Sequence, residues 1–573
     1  MKVKVVCTTI LVEKSPQALP LGAACIASAL KHSPETKDYC YVELRSFTLE
    51  DDSLAGRSNL AAADFVFNEL MKEFSEANGG RVNEADVNEA NGDRVKGIVC
   101  FSIFMWNRLI FETCAALFRK HGIICIAGGP EVTASPDSFS IFDYHVCGQG
   151  EISVPYLIGR ILREKNEVKN TPVPLGFNSN LKTAPVPIGL SASPYLDGTI
   201  NLKDYEGVLW ELARGCPFKC SYCYESKGEK KVRLIPEERI KKELELFSEK
   251  KVSQVFVLDP TYNADKKRAL YLIEMIRQYT PQTFYYFEAR AEFIDRELAL
   301  AFTKIPCAIQ IGLQSADENV LKNVNRPFNR KKFIKNVSFL NEFGVIFGFD
   351  LIYGLPGESY KGFKKGVDFA LSMYPNNLEI FCLSVLPGTD LYDKAESLNL
   401  VFEHNPPYHI IRSDKISEKE LKSAEELAEA CCFFYNEGRA VPWFMSICRS
   451  LSLSPSAFLD KFAHFMKEKN ITHYDSHIEI EKIQLLFIKR LYSERHLEIY
   501  AQVASDIIKF HGAISRVQDC GKEEILQLRY PAKFLDSEYA ADIDFFAHNV
   551  KPKSDRVRVF KRKSYAEWIS VRK

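Results

Sequence analysis

Apolar residues in the N-terminal part of the chain follow two alternating patterns. Residues 2–10, 95–104 and 123–127 are runs of β-branched and apolar side chains, which indicates strands that are buried on both faces. Residues 22–31 and 109–119 carry apolar positions three and four apart, as in a helix that packs on a core. Strands that alternate with helices predict an α/β fold with a doubly wound, Rossmann-like parallel sheet. Such a sheet binds its ligands beyond the carboxyl ends of its strands.

The same alternation returns in the middle of the chain and repeats six times. Helical spacing at residues 236–250 and 265–279 separates the first three of the strand-like runs. In a β/α barrel, functional side chains gather at the carboxyl ends of the strands. The six strands are predicted at residues 208–214, 255–259, 284–290, 308–314, 345–353 and 379–384.

Three further stretches have other patterns and complete the predicted domain organisation. Residues 75–95 are polar and rich in glycine and asparagine, which predicts a solvated insertion. Residues 161–205 contain five prolines and predict an extended linker. The C-terminal region is predicted to be mainly helical, with helices within residues 417–435, 455–469 and 479–510 and strands in EEILQLRY, DIDFFAH and RVRVFKR. The predicted units are residues 1–160, the linker 161–205, residues 206–410 and residues 411–573.

Composition excludes several classes of function and partner. The chain has 573 residues, and its 75 lysines and arginines balance 75 aspartates and glutamates, so its charge does not call for nucleic acid. No apolar run reaches the roughly 18 residues of a membrane span, and the first apolar run is too short for a signal peptide. The 16 cysteines then predict reduced thiols in the cytoplasm.

Three of these cysteines stand in a C-x3-C-x2-C motif directly after the first strand of the central region. Cys216, Cys220 and Cys223 place three soft sulfur ligands on one loop, which suits a cubane iron–sulfur cluster. Three ligands leave the fourth iron open to a small molecule. A structural zinc site would need a fourth donor nearby, and the next cysteine is Cys307.

The motif and the segments that follow it resemble the radical S-adenosylmethionine (radical SAM) superfamily over residues 206–410. The resemblance implies an open, partial (β/α)6 TIM-like barrel and a [4Fe-4S] cluster on the three cysteines. It further implies that one electron, from a donor such as flavodoxin or ferredoxin, cleaves SAM to a 5′-deoxyadenosyl radical. The segments that carry it are VFVLDPTYN (255–263), FYYFEARAEFID (284–295), IQIGLQS (309–315), NVNRP (323–327), GFDLIYGLPGES (348–359) and SVLPGTDLY (384–392).

By the same resemblance, side chains near the strand ends would contact SAM. Arg290 suits a carboxylate, and Glu288 suits hydroxyls or an ammonium group. Simpler interpretations exist, since Asp259 could cap a strand and Glu288 with Arg290 could form a surface pair. The full predicted SAM set is Tyr222, Asp259, Glu288, Arg290, Gln314, Ser315 and Leu355.

The first domain resembles the cobalamin-binding domain of B12-dependent radical SAM proteins, through LPLGAACIASAL, AGGPEVTASPDSF and DYHVCGQGE. The resemblance implies base-off cobalamin without a histidine lower ligand, with His32, His121 and His145 interpreted as strand-edge or helix-end residues. The alternative is a domain that kept the fold and lost the cofactor. The implied contacts are Ser102, Asn107, Gly128, Gly129, Pro130, Glu131, Gly148, Gly150 and Glu151.

These features together predict a cobalamin-dependent radical SAM enzyme that methylates an unactivated carbon of a small molecule or peptide. A B12-assisted oxidation or rearrangement is the alternative within the same family. A methylthiotransferase fits less well, because Cys7, Cys25 and Cys40 lie in strand and helix patterns rather than in a second cluster loop. A corrinoid-binding or sensing protein with a vestigial barrel is the alternative from another class.

Overall fold

The computed structural model describes residues 2–76, 95–163, 191–226, 232–472, 476–563 and 565–571. Most of the predicted insertion and residues 164–190 of the predicted linker lie outside the described residues. Within these ranges, no helix combines the length and the apolar character that crossing a membrane requires.

The N-terminal domain is a five-stranded parallel sheet with helices on both faces, as predicted. Its strand order is β2-β1-β3-β4-β5. The chain adds β2 on one side of β1 and then adds β3 on the other side, which makes the ends of β1 and β3 the point where the strand order reverses. The strands are β1 (Val3–Leu11), β2 (Cys40–Thr48), β3 (Ile98–Ser102), β4 (Ile124–Gly128) and β5 (Tyr144–Val146). The helices are α1 (Leu21–His32), α2 (Asn59–Glu76), α3 (Arg108–Lys120), α4 (Pro130–Ala134) and α5 (Gly150–Arg163).

Each face of this sheet carries its own hydrophobic core. Helices α2 and α3 cover one face and helices α1 and α5 cover the other. Strand β2 was not predicted from the sequence. It lies at the edge of the sheet and is mostly half-buried or exposed, so polar residues interrupt the apolar run that marks a central strand.

The central domain is an open barrel of six parallel strands in the order β6-β9-β10-β11-β12-β13, which confirms the predicted fold class. Strands β6 and β13 form its two edges, and a short antiparallel ribbon, β7–β8, follows β6. The strands are β6 (Gly207–Trp210), β7 (Ala213–Arg214), β8 (Arg233–Leu234), β9 (Gln254–Val257), β10 (Phe284–Ala289), β11 (Cys307–Gln314), β12 (Ile346–Tyr353) and β13 (Asn377–Cys382). The helices are α6 (Glu237–Glu249), α7 (Lys266–Tyr279), α8 (Arg296–Phe302), α9 (Glu318–Asn323), α10 (Arg330–Phe343), α11 (Tyr360–Leu371) and α12 (Asp390–Lys394).

Side chains alternate between two environments along the barrel strands. In β10 and β11 every second residue is buried against the outer helices. The residues between them, among them Glu288 and Gln310, therefore point into the barrel lumen, because successive side chains of a strand face opposite sides. This alternation brings polar side chains of neighbouring strands into one interior layer.

The C-terminal region is mainly helical, as predicted, and shares one continuous hydrophobic core with the barrel. One prediction was wrong: DIDFFAH is not a strand but helix α19, because the Asp542 carboxylate caps it by accepting a hydrogen bond from Phe545 N (3.0 Å). The helices are α13 (Glu418–Cys431, continued by a π-helical turn), α14 (Phe444–Ser450), α15 (Pro455–Lys469), α16 (His477–Ser493), α17 (Glu498–Cys520), α18 (Ala532–Leu535) and α19 (Ile543–Asn549). The strands are β14 (Val401–Phe402), β15 (Ile410–Arg412), β16 (Glu524–Leu528), β17 (Asp555–Arg562) and β18 (Tyr565–Ser570).

Candidate active site

The three cysteines of the motif lie on one loop that leaves the carboxyl end of the first barrel strand. Gly215 opens the loop with a φ of +90°, a conformation that glycine adopts without strain. Cys220 is buried, Cys216 and Cys223 are half-buried, and none of these three cysteines forms a disulfide. Cys223 N donates a hydrogen bond to Cys220 O (3.1 Å), which closes a tight turn. The loop therefore presents three thiols at the barrel mouth.

The kind of metal group that the three thiols suit follows from their number and chemistry. In the part of the chain that the structure describes, no three histidine, cysteine or acidic side chains are close enough to hold one metal ion. In a cubane cluster each thiolate binds a different iron, so its ligands stand farther apart than those of a single zinc. Three soft donors on one short loop thus fit the ligand set of a cubane cluster.

A second segment, residues 323–326, holds the cysteine loop in place. Ser221 N donates to Val324 O (3.0 Å), and Asn325 Nδ2 donates to Lys219 O (2.6 Å). The Arg326 guanidinium lies 3.8 Å from Cys220 Sγ and 3.5 Å from the hydroxyl of Tyr222. This arginine was missed as a site residue, because NVNRP follows a helix and not a strand end.

An acidic layer crosses the barrel lumen below the cysteine loop. The pKa of Glu288 is raised to about 7, mainly by burial and to a smaller extent by repulsion from Asp350. Burial raises the pKa of Asp350 to about 6, although Gln310 Nε2 donates a hydrogen bond to its Oδ1 (2.7 Å). The Glu288 side chain is exposed to the space inside the lumen, and the walls of the barrel surround that space. Asp350 was not predicted, and a charged residue in an otherwise apolar strand is the signal that would have found it.

Two buried acceptor atoms near the mouth have no protein partner. Gln314 Oε1 and Ser221 Oγ lack a hydrogen-bond partner among the described residues. Gln314 has a φ of +69°, at the position where the pairing of β11 with β12 shifts register. A buried polar group without a partner is costly, so these atoms fit a ligand that carries hydroxyl or amino donors, as SAM does.

Three of the predicted SAM residues, Asp259, Ser315 and Leu355, are engaged inside the protein, and their contact with SAM stays a prediction. Asp259 Oδ1 accepts from Leu212 N (3.0 Å) and its Oδ2 pairs with Arg268 (3.4 Å), so it ties strand ends together. Ser315 Oγ donates to Glu358 (2.7 Å). Leu355 is fully buried in the core, so its side chain packs beneath its loop.

Glu288 and Arg290 do not form the surface pair that was the alternative interpretation. Glu288 points into the lumen, whereas Arg290 is 5% exposed and pairs with Glu292 (2.8 Å). Of the predicted SAM set, Tyr222, Glu288 and Gln314 line the mouth and lumen.

The loops at the carboxyl edge of the N-terminal sheet are held tightly against each other. Gly129 has a φ of +109°, and a Cβ there would lie 2.6 Å from Ile103 O, so only glycine allows this approach. Gly148 has a φ of +76° with open space around it. Gly128 O accepts from Ile103 N (2.8 Å) and Gly129 O accepts from Thr133 N (3.0 Å), so of these glycines Gly148 is the one with open space around it.

Other residues predicted to contact cobalamin shape the fold instead. Asn107 is fully buried, and its Nδ2 donates to Ile10 O (3.3 Å) and Ser102 O (3.2 Å). A Cβ on Gly150 would lie 2.6 Å from a methyl group of Ile26, so Gly150 serves the packing of α5 on α1. A cobalamin contact of Asn107 or Gly150 stays a prediction.

The two predicted glutamates join the N-terminal domain to the rest of the chain, and their contact with cobalamin stays a prediction. Glu131 accepts a hydrogen bond from Tyr408 (2.8 Å) and pairs with Arg108 (3.4 Å). Glu151 pairs with Arg214 (2.6 Å), two residues before Cys216. The edge of the sheet therefore faces the cysteine loop.

Two family models match the chain. Residues 210–370 match the radical SAM superfamily, which is the segment that holds the cysteine loop and the acidic layer. Residues 210–370 are a radical SAM domain. Residues 396–515 match a family described as protein of unknown function (DUF4080).

Curated relatives are similar over about half of the chain. The chain is 25% identical over 338 residues (53% of this chain, 49% of the relative) to the cobalamin-dependent radical SAM methyltransferase TokK of Streptomyces tokunonensis. It is 26% identical over 336 residues (51% and 48%) to the 2-(S-pantetheinyl)-carbapenam-3-carboxylate methyltransferase of Streptantibioticus cattleyicolor. The match thus spans about half the length of each of these two relatives.

Solved structures share the fold at low identity. The cobalamin-dependent SAM radical enzyme OxsB with aqua-cobalamin bound superimposes with a TM-score of 0.53 at 14% identity, covering 96% of this chain and 83% of OxsB. The radical SAM methyltransferase TsrM from Kitasatospora setae, with cobalamin and a [4Fe-4S] cluster bound, gives 0.52 at 14% identity, covering 71% and 82%. These findings confirm the predicted resemblance to B12-binding radical SAM enzymes, and these proteins bind cofactors of the predicted set.

Proposed function

We propose that the chain is a cobalamin-dependent radical SAM enzyme that methylates an unactivated carbon of its substrate. The observation that carries the proposal is the position of the cysteine loop, at the mouth of an open barrel and facing the carboxyl edge of a Rossmann-like sheet. Glu151 and Arg214, 2.6 Å apart, join that edge to the loop. When bound, the cluster and SAM supply a 5′-deoxyadenosyl radical, and cobalamin carries the methyl group.

Each cofactor has a set of residues that fits it. Cys216, Cys220 and Cys223 would hold the cluster. In the lumen, Glu288 and the unpartnered Gln314 Oε1 suit the ammonium and hydroxyl groups of SAM. The open space around Gly148 leaves room for a corrin, and no side chain at that edge is assigned as a lower ligand.

The remaining predictions about partners stay proposals. The reduced cysteines favour a cytoplasmic location, and a flavodoxin or ferredoxin would supply the electron. The substrate is a small molecule or a peptide. The carboxylates of the lumen would hold donor groups of SAM or substrate by hydrogen bonds.

The first experiment tests the cluster and the radical chemistry. Anaerobic reconstitution of the full chain with iron and sulfide should give about four irons per chain. Cys220→Ala should lose the iron, whereas Cys432→Ser, an exposed cysteine outside the motif, should keep it. SAM with dithionite should then yield 5′-deoxyadenosine. Absence of iron from the wild-type protein contradicts the enzyme proposal.

The second experiment separates methyl transfer from its alternatives. The protein should retain a corrinoid that is visible in its absorption spectrum, and reduced cobalamin should take a deuterated methyl group from labelled SAM. A corrinoid that is bound but never methylated would favour the oxidation or rearrangement. Binding of corrinoid without any 5′-deoxyadenosine would favour a sensing protein.

A further inference from the structure

Arg290 lies against the cysteine loop and not in the lumen. Its guanidinium carbon is 3.9 Å from the ring centroid of Phe218, which stands in the loop between Cys216 and Cys220. Arg290 is only 5% exposed. A guanidinium stacked on an aromatic face is attracted to it, and more strongly where water is excluded.

Neighbouring residues fix the guanidinium in this position. Its NH2 and Nε atoms donate to the two carboxylate oxygens of Glu292 at 2.8 and 3.4 Å. The Arg290 backbone is clamped by the fully buried Asn263, whose Oδ1 accepts from Arg290 N (3.0 Å) and whose Nδ2 donates to Arg290 O (2.9 Å). A swing toward a ligand carboxylate would break the ion pair and the ring contact together.

The charge of this arginine acts on the loop. Phe218, whose ring centroid lies 3.9 Å from the guanidinium carbon, is two residues from Cys216 and two from Cys220. The guanidinium stays charged at all accessible pH values. Phe218 and Cys216 thus lie next to a permanent, partly screened positive charge.

We propose that Arg290 is a positioning residue for the cysteine loop, and that its charge raises the reduction potential of the cluster bound there. The inference rests on the proposed function. One electron from a low-potential donor adds one negative charge at the loop, and no bond forms or breaks in that step. A fixed cation nearby stabilises the reduced state more than the oxidised state.

The test is a potentiometric titration of the reconstituted full chain with dithionite, followed by electron paramagnetic resonance. Arg290→Gln should lower the potential by an amount equal to about a tenfold change in the reduction equilibrium, which is about 59 mV for one electron. Arg290→Lys keeps the charge and should stay near wild type. Glu292→Gln removes the counter-charge and should shift the potential upward.

Arg290→Gln and Glu292→Gln change two residues that contact each other and should shift the reduction potential in opposite directions. Loosening of the loop would not reverse its effect between these two variants, so opposite shifts indicate an electrostatic effect. Arg516→Gln is the control, because this arginine forms half-buried ion pairs with Glu481 and Glu524 in the C-terminal region. Shifts of the same sign, or none, overturn the inference. If Arg290→Gln binds little iron, Glu292→Gln decides alone. A wild-type chain that binds no cluster overturns the proposed function itself, whereas a bound cluster with unshifted potentials overturns only the role of Arg290.

Discussion

One of the contacts between the N-terminal domain and the rest of the chain can be tested with a single substitution, Tyr408→Phe. The Tyr408 hydroxyl donates to Glu131 Oε2 (2.8 Å) and accepts from Arg108 (3.2 Å), and Tyr408 is 1% exposed. The variant keeps the ring and removes the hydroxyl. The Glu131 carboxylate then loses one donor in a place that water does not reach.

The size of the effect follows from the charge of the acceptor. A hydrogen bond to a charged group contributes about 1.5–3 kcal/mol, and the Arg108–Glu131 pair remains in the variant. We expect a loss of about 2 kcal/mol in the free energy of local opening, or about a thirtyfold increase in the open population. Amide hydrogen exchange in α4 and in the β14–β15 ribbon should accelerate by that factor, followed by mass spectrometry.

A matched control comes from a second tyrosine hydroxyl, at the contact between α11 and α15. The Tyr360 hydroxyl donates to Asp460 (2.9 Å) between α11 and α15. Tyr360→Phe should accelerate exchange in those helices and leave α4 unchanged. If Tyr408→Phe leaves exchange in α4 at the wild-type rate, the hydroxyl does not hold the two domains together and our reasoning is wrong.

Three further predictions concern pH and packing. Burial raises the pKa of Glu358 to about 8. Between about pH 4.5 and about pH 8 the folded chain therefore retains a proton that the unfolded chain has lost, and the free energy of unfolding falls as the pH rises through this range. The gain in Tm of Glu358→Gln over wild type should therefore grow from pH 5 to pH 9 in thermal melts, and a constant difference would refute this. Because the pKa of Glu288 is about 7, SAM should bind wild type about tenfold more tightly at pH 8 than at pH 6 by calorimetry, with no such change in Glu288→Gln. Phe434→Ala, in the buried aromatic cluster of the C-terminal region, should cost about 3–5 kcal/mol, against less than about 0.5 kcal/mol for the exposed Tyr565→Ala in denaturant titrations.

The parallel sheets were predictable because their central strands are buried on both faces. Such strands are continuous apolar runs in the sequence, whichever elements pack against them. The edge strand β2 has no such run, so the spacing of its apolar residues does not identify it as a strand. The error at 543–549 has a different cause: a single capping aspartate decides for a helix where β-branched and aromatic residues favour a strand.

The site was predictable to the level of the motif and no further. The spacing of the three cysteines in the sequence predicts a site for an iron–sulfur cluster, and the structure places these cysteines on one loop. A polar residue at a strand end can turn toward the lumen, as Gln314 does, or cap a neighbouring strand, as Asp259 does. The sequence does not distinguish these directions, because the partner Leu212 N is brought near only by the fold.

The two glutamates at the edge of the N-terminal sheet show how the domains are set against each other. Glu131 meets the chain after the barrel through Tyr408, and Glu151 meets Arg214 just before the cysteine loop. Arg214 also pairs with Glu211, so one guanidinium links the N-terminal domain to the residues that lead into Cys216. A change that reorients the N-terminal domain must therefore move the start of the cysteine loop, or break a half-buried ion pair. The position of the carboxyl edge of the N-terminal sheet relative to Cys216 is in this way fixed by the same short segment that supplies the first thiol.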